Sequence, residues 1–214
     1  MTTRYGATRA EYEMWLQDHG HPRYRGEQVW GALYGQRRPL ETVTNLPRGL
    51  RDEITRAFPL VLHSAIEQHG DRGMTRKVLF ATRDAAQIET VLMISPGRAT
   101  VCVSSQAGCA MGCTFCATGQ AGFERQLDAD EIVEQVLVVG HGSPQPVTNV
   151  VFMGMGEPLA NYDATWAAIE RIHRDLRISA RRLTVSTVGI VPGIRRLARE
   201  SIPVTLAISL HAAG

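Results

Sequence analysis

The sequence predicts an α/β protein whose second half is built on parallel strands. From residue 99 onward, β-rich apolar runs alternate regularly with amphipathic helical segments. One run, residues 149–153, is continuously apolar, which is typical of a parallel strand covered on both faces. Residues 1–60 carry helical patterns instead. With right-handed crossovers, such a chain forms an open doubly wound sheet or a barrel, here preceded by a small helical domain.

The composition is that of a globular protein, with 44% hydrophobic and 21% charged residues among 214. No run approaches the length of a membrane span, and the start of the chain lacks an apolar signal core, so we expect a cytoplasmic protein without a membrane partner. The net charge of +2 does not by itself indicate nucleic-acid binding. Lys77 is the only lysine; an arginine bias suits phosphate binding but follows equally from genomic base composition.

Residues 1–60 are predicted to form a helical accessory domain. Apolar residues recur at helical spacing in three segments, residues 10–19, 26–34 and 47–58. Arginines decorate the turns and exposed faces: Arg23, Arg25, Arg37, Arg38, Arg48 and Arg51. They indicate either an ordinary solvated surface or contacts with an RNA backbone, and the sequence favours neither.

Residues 61–98 are predicted to form a β-hairpin that links this domain to the rest. Its strands are residues 77–81 and 87–93, joined by a polar turn. Glu89 lies inside the second strand. A carboxylate in a strand is usually a solvent-face residue, so its position alone does not make it catalytic.

Residues 99–214 are predicted to alternate strand and helix. The predicted strands are residues 99–105, 149–153, 182–187 and 203–210, and the predicted helices are residues 128–140, 161–175 and 192–201. Asp128 is expected to begin its helix with Glu131 as the capping-box partner. Four polar segments follow the strands, at residues 102–120, 154–157, 186–189 and 209–211. Because parallel strands place functional residues at their carboxyl ends, we expect these segments to surround one site.

All four cysteines lie within residues 102–120, and the last three form C-x3-C-x2-C. Small residues between them let the loop fold back so that three thiolates can bind one soft metal centre. A four-iron cluster held by three cysteines keeps one iron open for substrate. Alternatives are a zinc site that also uses Cys102 and a simple electron-transfer cluster. A disulfide framework is the poorest candidate, since the thiols are crowded together and no signal peptide is seen.

The other strand-end motifs are weak when taken singly. The sequence GMGEP, residues 154–158, is either a generic tight turn or a segment whose glycines and Glu157 approach a ligand. The Ser186 hydroxyl either hydrogen-bonds to nearby backbone or binds a ligand. His211 either has a structural role or contacts a nucleoside. Their expected position at one edge of the sheet is stronger evidence for a functional site than any one of these motifs.

Residues 102–127 (CVSSQAGCAMGCTFCATGQAGFERQL) resemble the RlmN/Cfr family of radical S-adenosylmethionine (SAM) enzymes, as do residues 149–161, 186–194 and 206–212. The family methylates adenine in 23S ribosomal RNA and, for RlmN, in tRNA. The resemblance implies a partial radical-SAM (β/α) barrel with about four of six β/α units. It also implies a [4Fe–4S] cluster, SAM, and a reducing partner such as flavodoxin.

The resemblance also implies roles for individual residues. Cys109, Cys113 and Cys116 match the cluster ligands, and Glu89 matches the family's proposed general base. Cys102 matches the cysteine that releases the product through a disulfide. The positions that match SAM-binding residues are Gly156, Glu157, Ser186, Ser209, Leu210 and His211.

The implied reaction uses two SAM molecules, one to methylate a protein cysteine and one to make the radical that activates this methyl group. A radical is needed because the target amidine carbon is not nucleophilic. We expect methylation at C2 of adenosine, with a Cfr-like C8 enzyme as the alternative. The family's methyl-carrying cysteine has no counterpart, since no cysteine follows Cys116. The sequence thus resembles the first two-thirds of such an enzyme and predicts that these residues alone do not complete methyl transfer. A further alternative is a non-catalytic RNA-binding fragment stabilised by zinc or by an iron–sulfur cluster.

Overall fold

The protein divides between Val61 and Leu62 into two compact units, as seen in a computed structural model that describes residues 2–210. None of the helices in that range is both long enough and apolar enough to cross a membrane.

The first unit contains the three predicted helices. They are α1 (Arg9–Asp18), α2 (Tyr24–Trp30) and α3 (Arg48–Ala57), and a π-helical turn at Gly31–Gly35 extends α2. Helix α1 begins at a capping box in which the side chains of Thr8 and Glu11 each accept the other's backbone N–H. The apolar faces of the helices form a core with Tyr12, Leu16, Val29, Leu33, Leu50 and Ile54.

Some arginines of this unit bind backbone carbonyls within it. Arg25 Nη1 donates to the carbonyl of Asn45 at 3.0 Å, and Arg38 donates to the carbonyl of Thr42. Arg4 is buried and donates to the Phe58 carbonyl at 3.3 Å. Part of the arginine set therefore stabilises the turns of this unit.

The second unit contains a seven-stranded sheet and a separate two-stranded ribbon. The sheet strands are β1 (His63–Gly70), β2 (Thr75–Ala81), β3 (Gln87–Ser95), β4 (Arg98–Cys102), β7 (Asn149–Phe152), β8 (Leu183–Thr187) and β9 (Thr205–Ile208). The ribbon is formed by β5 (Gln106–Gly108) and β6 (Phe123–Gln126). The strand order in the sheet is β1-β2-β3-β4-β7-β8-β9.

The first four strands pair antiparallel, and β4, β7, β8 and β9 pair in parallel. The predicted hairpin corresponds to β2 and β3, but it is incomplete because β1 adds a third strand. The sequence does not reveal β1, since all eight of its residues are exposed and no apolar alternation marks it. Strand β3 pairs in turn with β4, so the antiparallel strands extend the same sheet as the parallel ones.

The helices of this unit are α4 (Ala117–Ala121), α5 (Ala129–Gly140), α6 (Tyr162–Arg174) and α7 (Val191–Leu197). Helix α5 lies between β4 and β7, after the ribbon, and α6 and α7 follow β7 and β8. This alternation confirms the predicted α/β class. The predicted capping box at the start of α5 is confirmed, with Glu131 accepting the Asp128 N–H at 2.9 Å. The sequence predicts a plain loop where the ribbon and α4 lie.

The two faces of the sheet differ in burial. One face carries Ile88, Leu92, Val101, Val150 and Val185, all of which are buried. Helix α5 lies on this side, where Gln135 accepts a hydrogen bond from Thr90 at 2.9 Å. The opposite face, called the open face below, stays partly exposed along β2, β3, β8 and β9.

Candidate active site

The cysteine loop, residues 109–122, joins β5 to β6. Its three cysteines, Cys109, Cys113 and Cys116, are half-buried free thiols. The loop closes at its base, where the Cys109 N–H donates to the Gly122 carbonyl at 2.8 Å. Gly108 is required at this closure because its φ is +73° and a Cβ would lie 2.1 Å from the Gly122 oxygen. Local backbone geometry therefore holds the three cysteines in one short loop.

The structure places these thiols in one loop but does not bring them together around one point. Within residues 2–210, no group of three or more His, Cys, Asp or Glu side chains converges as a metal site. The donor chemistry nevertheless fits the predicted cluster, because deprotonated thiols are the soft ligands that iron–sulfur clusters require. Ligation by Cys109, Cys113 and Cys116 stays a prediction.

Cys102 differs from the other three cysteines. It ends β4, and burial raises its pKa to about 11, although a backbone hydrogen bond at Met153 opposes the rise. Its thiol is therefore protonated near neutral pH, and a protonated thiol is a poor metal ligand. The alternative of a zinc site that also uses Cys102 stays a prediction, because a metal ion displaces the thiol proton when it binds.

The segment after β4 joins three parts of the site through buried side chains. Ser104 Oγ donates to the Glu89 carbonyl at 2.6 Å and accepts from the Met155 N–H at 2.9 Å. Gln106 Oε1 accepts from the Glu157 N–H at 2.8 Å. Residues 104–108 and 123–127, called the loop frame below, thus fix both ends of the cysteine loop to β3 and to the turn after β7.

Ser105 is held by its backbone but not by its hydroxyl. Its N–H donates to the Met155 carbonyl at 2.9 Å, and its carbonyl accepts from Asn161 Nδ2 at 2.8 Å. Its Oγ is buried and has no hydrogen-bond partner among the described residues. A buried hydroxyl of this kind is costly unless another group binds it.

The carboxylate of Glu157 connects the ends of two parallel strands. Its Oε1 accepts from the Leu159 N–H at 3.0 Å, and its Oε2 accepts from the Val188 N–H at 2.8 Å. The residue is only 2% exposed. Its neighbour Gly156 has φ +96°, and a Cβ there would lie 2.5 Å from the Cβ of Gln106. The turn after β7 is therefore packed directly on the loop frame.

The register of the sheet places three predicted site residues on the open face. Cys102 pairs with Val91, which lies two residues from Glu89. Cys102 and Glu89 are therefore diagonal neighbours on adjacent strands, a relation that places their Cα atoms roughly 7–8 Å apart. The register of β4 with β7, and of β7 with β8, puts Ser186 on the same face of the sheet as Cys102. Lys77 Nζ forms an ion pair with Glu89 Oε1 at 2.9 Å. The sequence did not predict this partner, because the contact depends on strand register.

The remaining SAM-binding candidates follow β8 and β9. Ser186 is half-buried in β8, and the Ser209 N–H donates to the Thr187 carbonyl at 2.9 Å. Leu210 is 75% exposed. His211 lies outside the described residues. The described members lie at the carboxyl end of the parallel strands, as the sequence predicts.

Arg125 of β6 holds the loop frame in place, and the sequence analysis missed it. Its guanidinium donates to both carboxylate oxygens of Asp84 at 2.6 and 2.8 Å and to both of Glu131 at 2.8 Å. Hydrogen bonds from Arg125 hold the pKa of Asp84 well below its usual range. The arrangement ties the loop frame to the β2–β3 turn and to the start of α5. No local pattern signals it, because Asp84 is 41 residues away.

Comparison with known proteins identifies the class to which this site belongs. Residues 103–214 match the radical SAM superfamily, and the chain belongs to that superfamily. Its methyltransferases use a [4Fe–4S] cluster and SAM. The family resemblance seen in the motifs is thereby confirmed at the level of the superfamily.

The descriptions of individual relatives are narrower than that of the superfamily. The chain is 50% identical over 208 residues to a probable dual-specificity RNA methyltransferase RlmN of Chloroflexus aurantiacus, covering 92% of this chain and 55% of that protein. A protein of the same description from Roseiflexus castenholzii is 46% identical, with 97% and 63% covered. A crystal structure of a radical SAM methyltransferase from Sphaerobacter thermophilus superimposes with a TM-score of 0.89 at 46% identity, covering 99% of this chain and 64% of that one. The chain spans between about half and two thirds of the length of these relatives.

Proposed function

We propose that this chain binds a [4Fe–4S] cluster and SAM and acts in methylation of C2 of adenosine in 23S ribosomal RNA and in tRNA, through a methyl-cysteine intermediate. The proposal rests on strand register, by which Glu89, Cys102 and Ser186 lie on the same open face of the sheet, and on the cysteine loop that comes after β4. Identity of 46–50% to proteins described as RlmN supports the same reaction.

In this proposal Cys109, Cys113 and Cys116 hold the cluster. When bound and reduced, the cluster supplies the electron that cleaves SAM. Gly156, Glu157, Ser186, Ser209, Leu210 and His211 line the SAM site. The orphaned Ser105 hydroxyl fits a site that gains a polar group on binding, because such a group would satisfy a buried donor.

Glu89 and Cys102 act on the RNA. Glu89 accepts the proton that leaves the methylated adenine, and the Cys102 sulfur then attacks the methyl-carrying cysteine to form a disulfide and free the product. Cys102 must lose its own proton to do so, since burial keeps it a thiol at neutral pH. The C–S bond to the methylated adenine breaks as the S–S bond forms, and the Cys102 proton goes to the released carbon, because Glu89 already holds the adenine proton.

The proposal includes partners and location. RNA is the macromolecular substrate, and a flavodoxin-like protein supplies the electrons. Residues 1–60 act as an RNA-binding accessory domain. Residues 61–98 link it to residues 99–214 and contribute Glu89 to the site. A cytoplasmic location suits both an oxygen-sensitive cluster and these substrates.

The first test is anaerobic iron–sulfur reconstitution followed by electron paramagnetic resonance of the reduced protein with and without SAM. We expect a four-iron signal that changes on adding SAM, and loss of bound iron in Cys109→Ser, Cys113→Ser and Cys116→Ser. Cys102→Ser is the matched control and should keep its iron. Zinc in place of iron, or iron retained in all three loop variants, would contradict the proposal.

A second test addresses the reaction. The reduced protein should cleave SAM to 5′-deoxyadenosine. Because no cysteine follows Cys116, we expect RNA treated with these 214 residues alone to gain no methyl group. RNA methylated by an extended chain that supplies a methyl-carrying cysteine should contain 2-methyladenosine. The appearance of 8-methyladenosine would instead support the C8 alternative.

A further inference from the structure

A basic segment connects α6 to β8. Residues 171–182 (RIHRDLRISARR) contain five arginines and one aspartate, a net charge of +4 in a chain whose total charge is +2. The aspartate, Asp175, is shared between two of these arginines, with Arg174 Nε at 3.0 Å and Arg171 Nε at 3.7 Å from its carboxylate. The segment therefore has no further carboxylate to pair with the arginines that follow.

Those later arginines, Arg177, Arg181 and Arg182, present their charges to solvent. All three are exposed, and within residues 2–210 none of them forms an ion pair or a side-chain hydrogen bond. Arg98, the first residue of β4, is also exposed and has no ion pair in that range; its Nε donates to Thr100 Oγ1 at 3.1 Å. These four arginines are called the basic edge below.

The basic edge lies at the amino ends of the parallel strands. Residues 180–182 form the turn that precedes β8. Val101 of β4 aligns with Leu183 of β8 through Val150, and Arg98 lies three residues before Val101. The strand that carries Arg98 is thus two strand spacings, roughly 10 Å, from β8, and the four arginines share one end of the sheet.

The site already described lies at the other end of these strands. Arg182 and Val188 precede and follow β8, so their Cα atoms are roughly 20 Å apart. A partner that reaches both the basic edge and the site must therefore extend over at least that distance. RNA is such a partner. An electron donor has to approach the cluster itself, so the basic edge suits it less well.

The backbone that carries these arginines is held by the protein. Ile178 and Ala180 are buried between exposed residues. The Ile178 carbonyl accepts a hydrogen bond from His173 Nδ1 at 2.9 Å, and the Ser179 carbonyl accepts the Arg182 N–H at 2.8 Å. Because the backbone is fixed, less conformational entropy is lost when the guanidinium groups bind a ligand.

We infer that the basic edge binds the phosphate backbone of the substrate RNA, at a surface separate from the catalytic site. This inference rests on the proposed function, which makes RNA the substrate. Guanidinium groups bind phosphate oxygens in a bidentate manner, and a group of exposed cations attracts a polyanion without sequence selectivity. The basic edge thus adds affinity and orients the RNA, while selection of the target base belongs to the site at the other end of the strands.

The test measures binding of a fluorescently labelled tRNA transcript to the metal-free chain, by fluorescence anisotropy at several KCl concentrations. The triple variant carries Arg177→Asn, Arg181→Gln and Arg182→Gln. Asn suits position 177 because φ there is +54°, a conformation that Asn adopts more readily than most residues. We expect the dissociation constant in 100 mM KCl to rise at least about tenfold, and the slope of log Kd against log salt concentration to fall by about 2. Adding Arg98→Gln should lower the slope by about 1 more.

A matched control removes the same charge elsewhere in the second unit. Arg72→Asn, Arg83→Gln and Arg195→Gln neutralise three exposed arginines, and Arg72, with φ +55°, matches Arg177 in backbone conformation. The control should change the dissociation constant less than about twofold, because salt screens charges that do not contact the RNA. Thermal unfolding midpoints of both triple variants should equal that of the wild type, since exposed side chains contribute little to stability.

The possible outcomes separate this inference from the proposed function. Unchanged affinity and slope in the triple and quadruple variants would overturn the inference and leave the proposed function standing. An equal loss of affinity in the control would also overturn it, because net charge alone would then explain the effect. Unchanged tRNA affinity together with weaker binding of a flavodoxin would overturn it in favour of the electron donor. A wild-type chain that binds no tRNA would contradict both the inference and the proposed function.

Discussion

The cysteine loop and the loop frame are adjacent in sequence but are stabilised in different ways. In the frame, Ser104, Ser105 and Gln106 are buried, and Ser104 and Gln106 bind the neighbouring segments through side chains. In the loop, Cys109 and Cys113 are half-buried, and the loop is shaped by backbone hydrogen bonds and by one bond from the Gln120 side chain to the Thr114 carbonyl. The fold thus fixes where the loop begins and ends, and leaves its thiols free for a ligand.

This difference explains why the residues that precede the cysteines indicate the position of the site as well as the cysteines do. Residues 104–106 (SSQ) connect the loop to β3, β6 and the turn after β7. A frame of this kind determines the position of a site before any cofactor binds. Four predictions test the contrast, from the largest expected effect to the smallest.

A glycine that packs against the loop frame should matter more for stability than a glycine in the cysteine loop. Gly156→Ala places a Cβ 2.5 Å from the Gln106 side chain at a positive φ, and should lower the free energy of unfolding by about 3 kcal/mol. Gly112→Ala, where φ is +62° and nothing lies within 4 Å of the added Cβ, should cost only about 1 kcal/mol. Chemical denaturation of both variants measures the difference. Equal costs would show that the frame is no more tightly packed than the loop.

Thiol reactivity should separate Cys102 from the loop cysteines. The pKa of Cys102 is raised to about 11 from 9.0, so its thiolate fraction at pH 7.5 should be about 100-fold lower than that of an ordinary thiol. Its alkylation rate should rise with pH until the pH reaches about 11. Mass-spectrometric mapping of the metal-free protein treated with iodoacetamide measures these rates. Alkylation of Cys102 as fast as that of Cys109 would refute its burial.

Removal of the Arg125 cation should destabilise the frame. Arg125→Met leaves the Glu131 carboxylate, which is 7% exposed, without its partner and should cost about 2 kcal/mol in unfolding free energy. The figure is below that of a fully buried pair because the Arg125 side chain is 29% exposed. Arg83→Met removes an exposed cation from the same turn region and serves as the control. If Arg125→Met lowers the free energy of unfolding no more than Arg83→Met does, then Arg125 does not hold the loop frame to the β2–β3 turn and to α5.

Two adjacent serines should respond in opposite directions. Ser104→Ala removes a hydroxyl with two partners and should lower the free energy of unfolding by about 1 kcal/mol, whereas Ser105→Ala removes an unpartnered buried hydroxyl and should raise it by about 1 kcal/mol. Thermal unfolding of the metal-free protein is the measurement. If Ser105→Ala is as destabilising as Ser104→Ala, the Ser105 hydroxyl has a partner after all.

Much of the fold could be predicted because its signals are local. The capping box at Asp128 and Glu131 depends on residues three apart, and the run that forms β7 can be recognised from its continuous apolar residues. Strand β1 could not be predicted, because an exposed edge strand lacks the apolar alternation of a half-buried one. The ribbon around the cysteine loop was missed for a similar reason, since its strands have three and four residues.

The sequence by itself determined the α/β class, the close spacing of Cys109, Cys113 and Cys116, and the order in which polar segments follow the strands. Only the tertiary structure decided that Glu89 and Cys102 share a face, that Lys77 pairs with Glu89, and that Arg125 binds two distant carboxylates. The physical reason is that a strand's side-chain alternation follows from local sequence, whereas its register depends on pairing with other strands. A shift of one residue in that register would move Cys102 to the opposite face and separate it from Glu89.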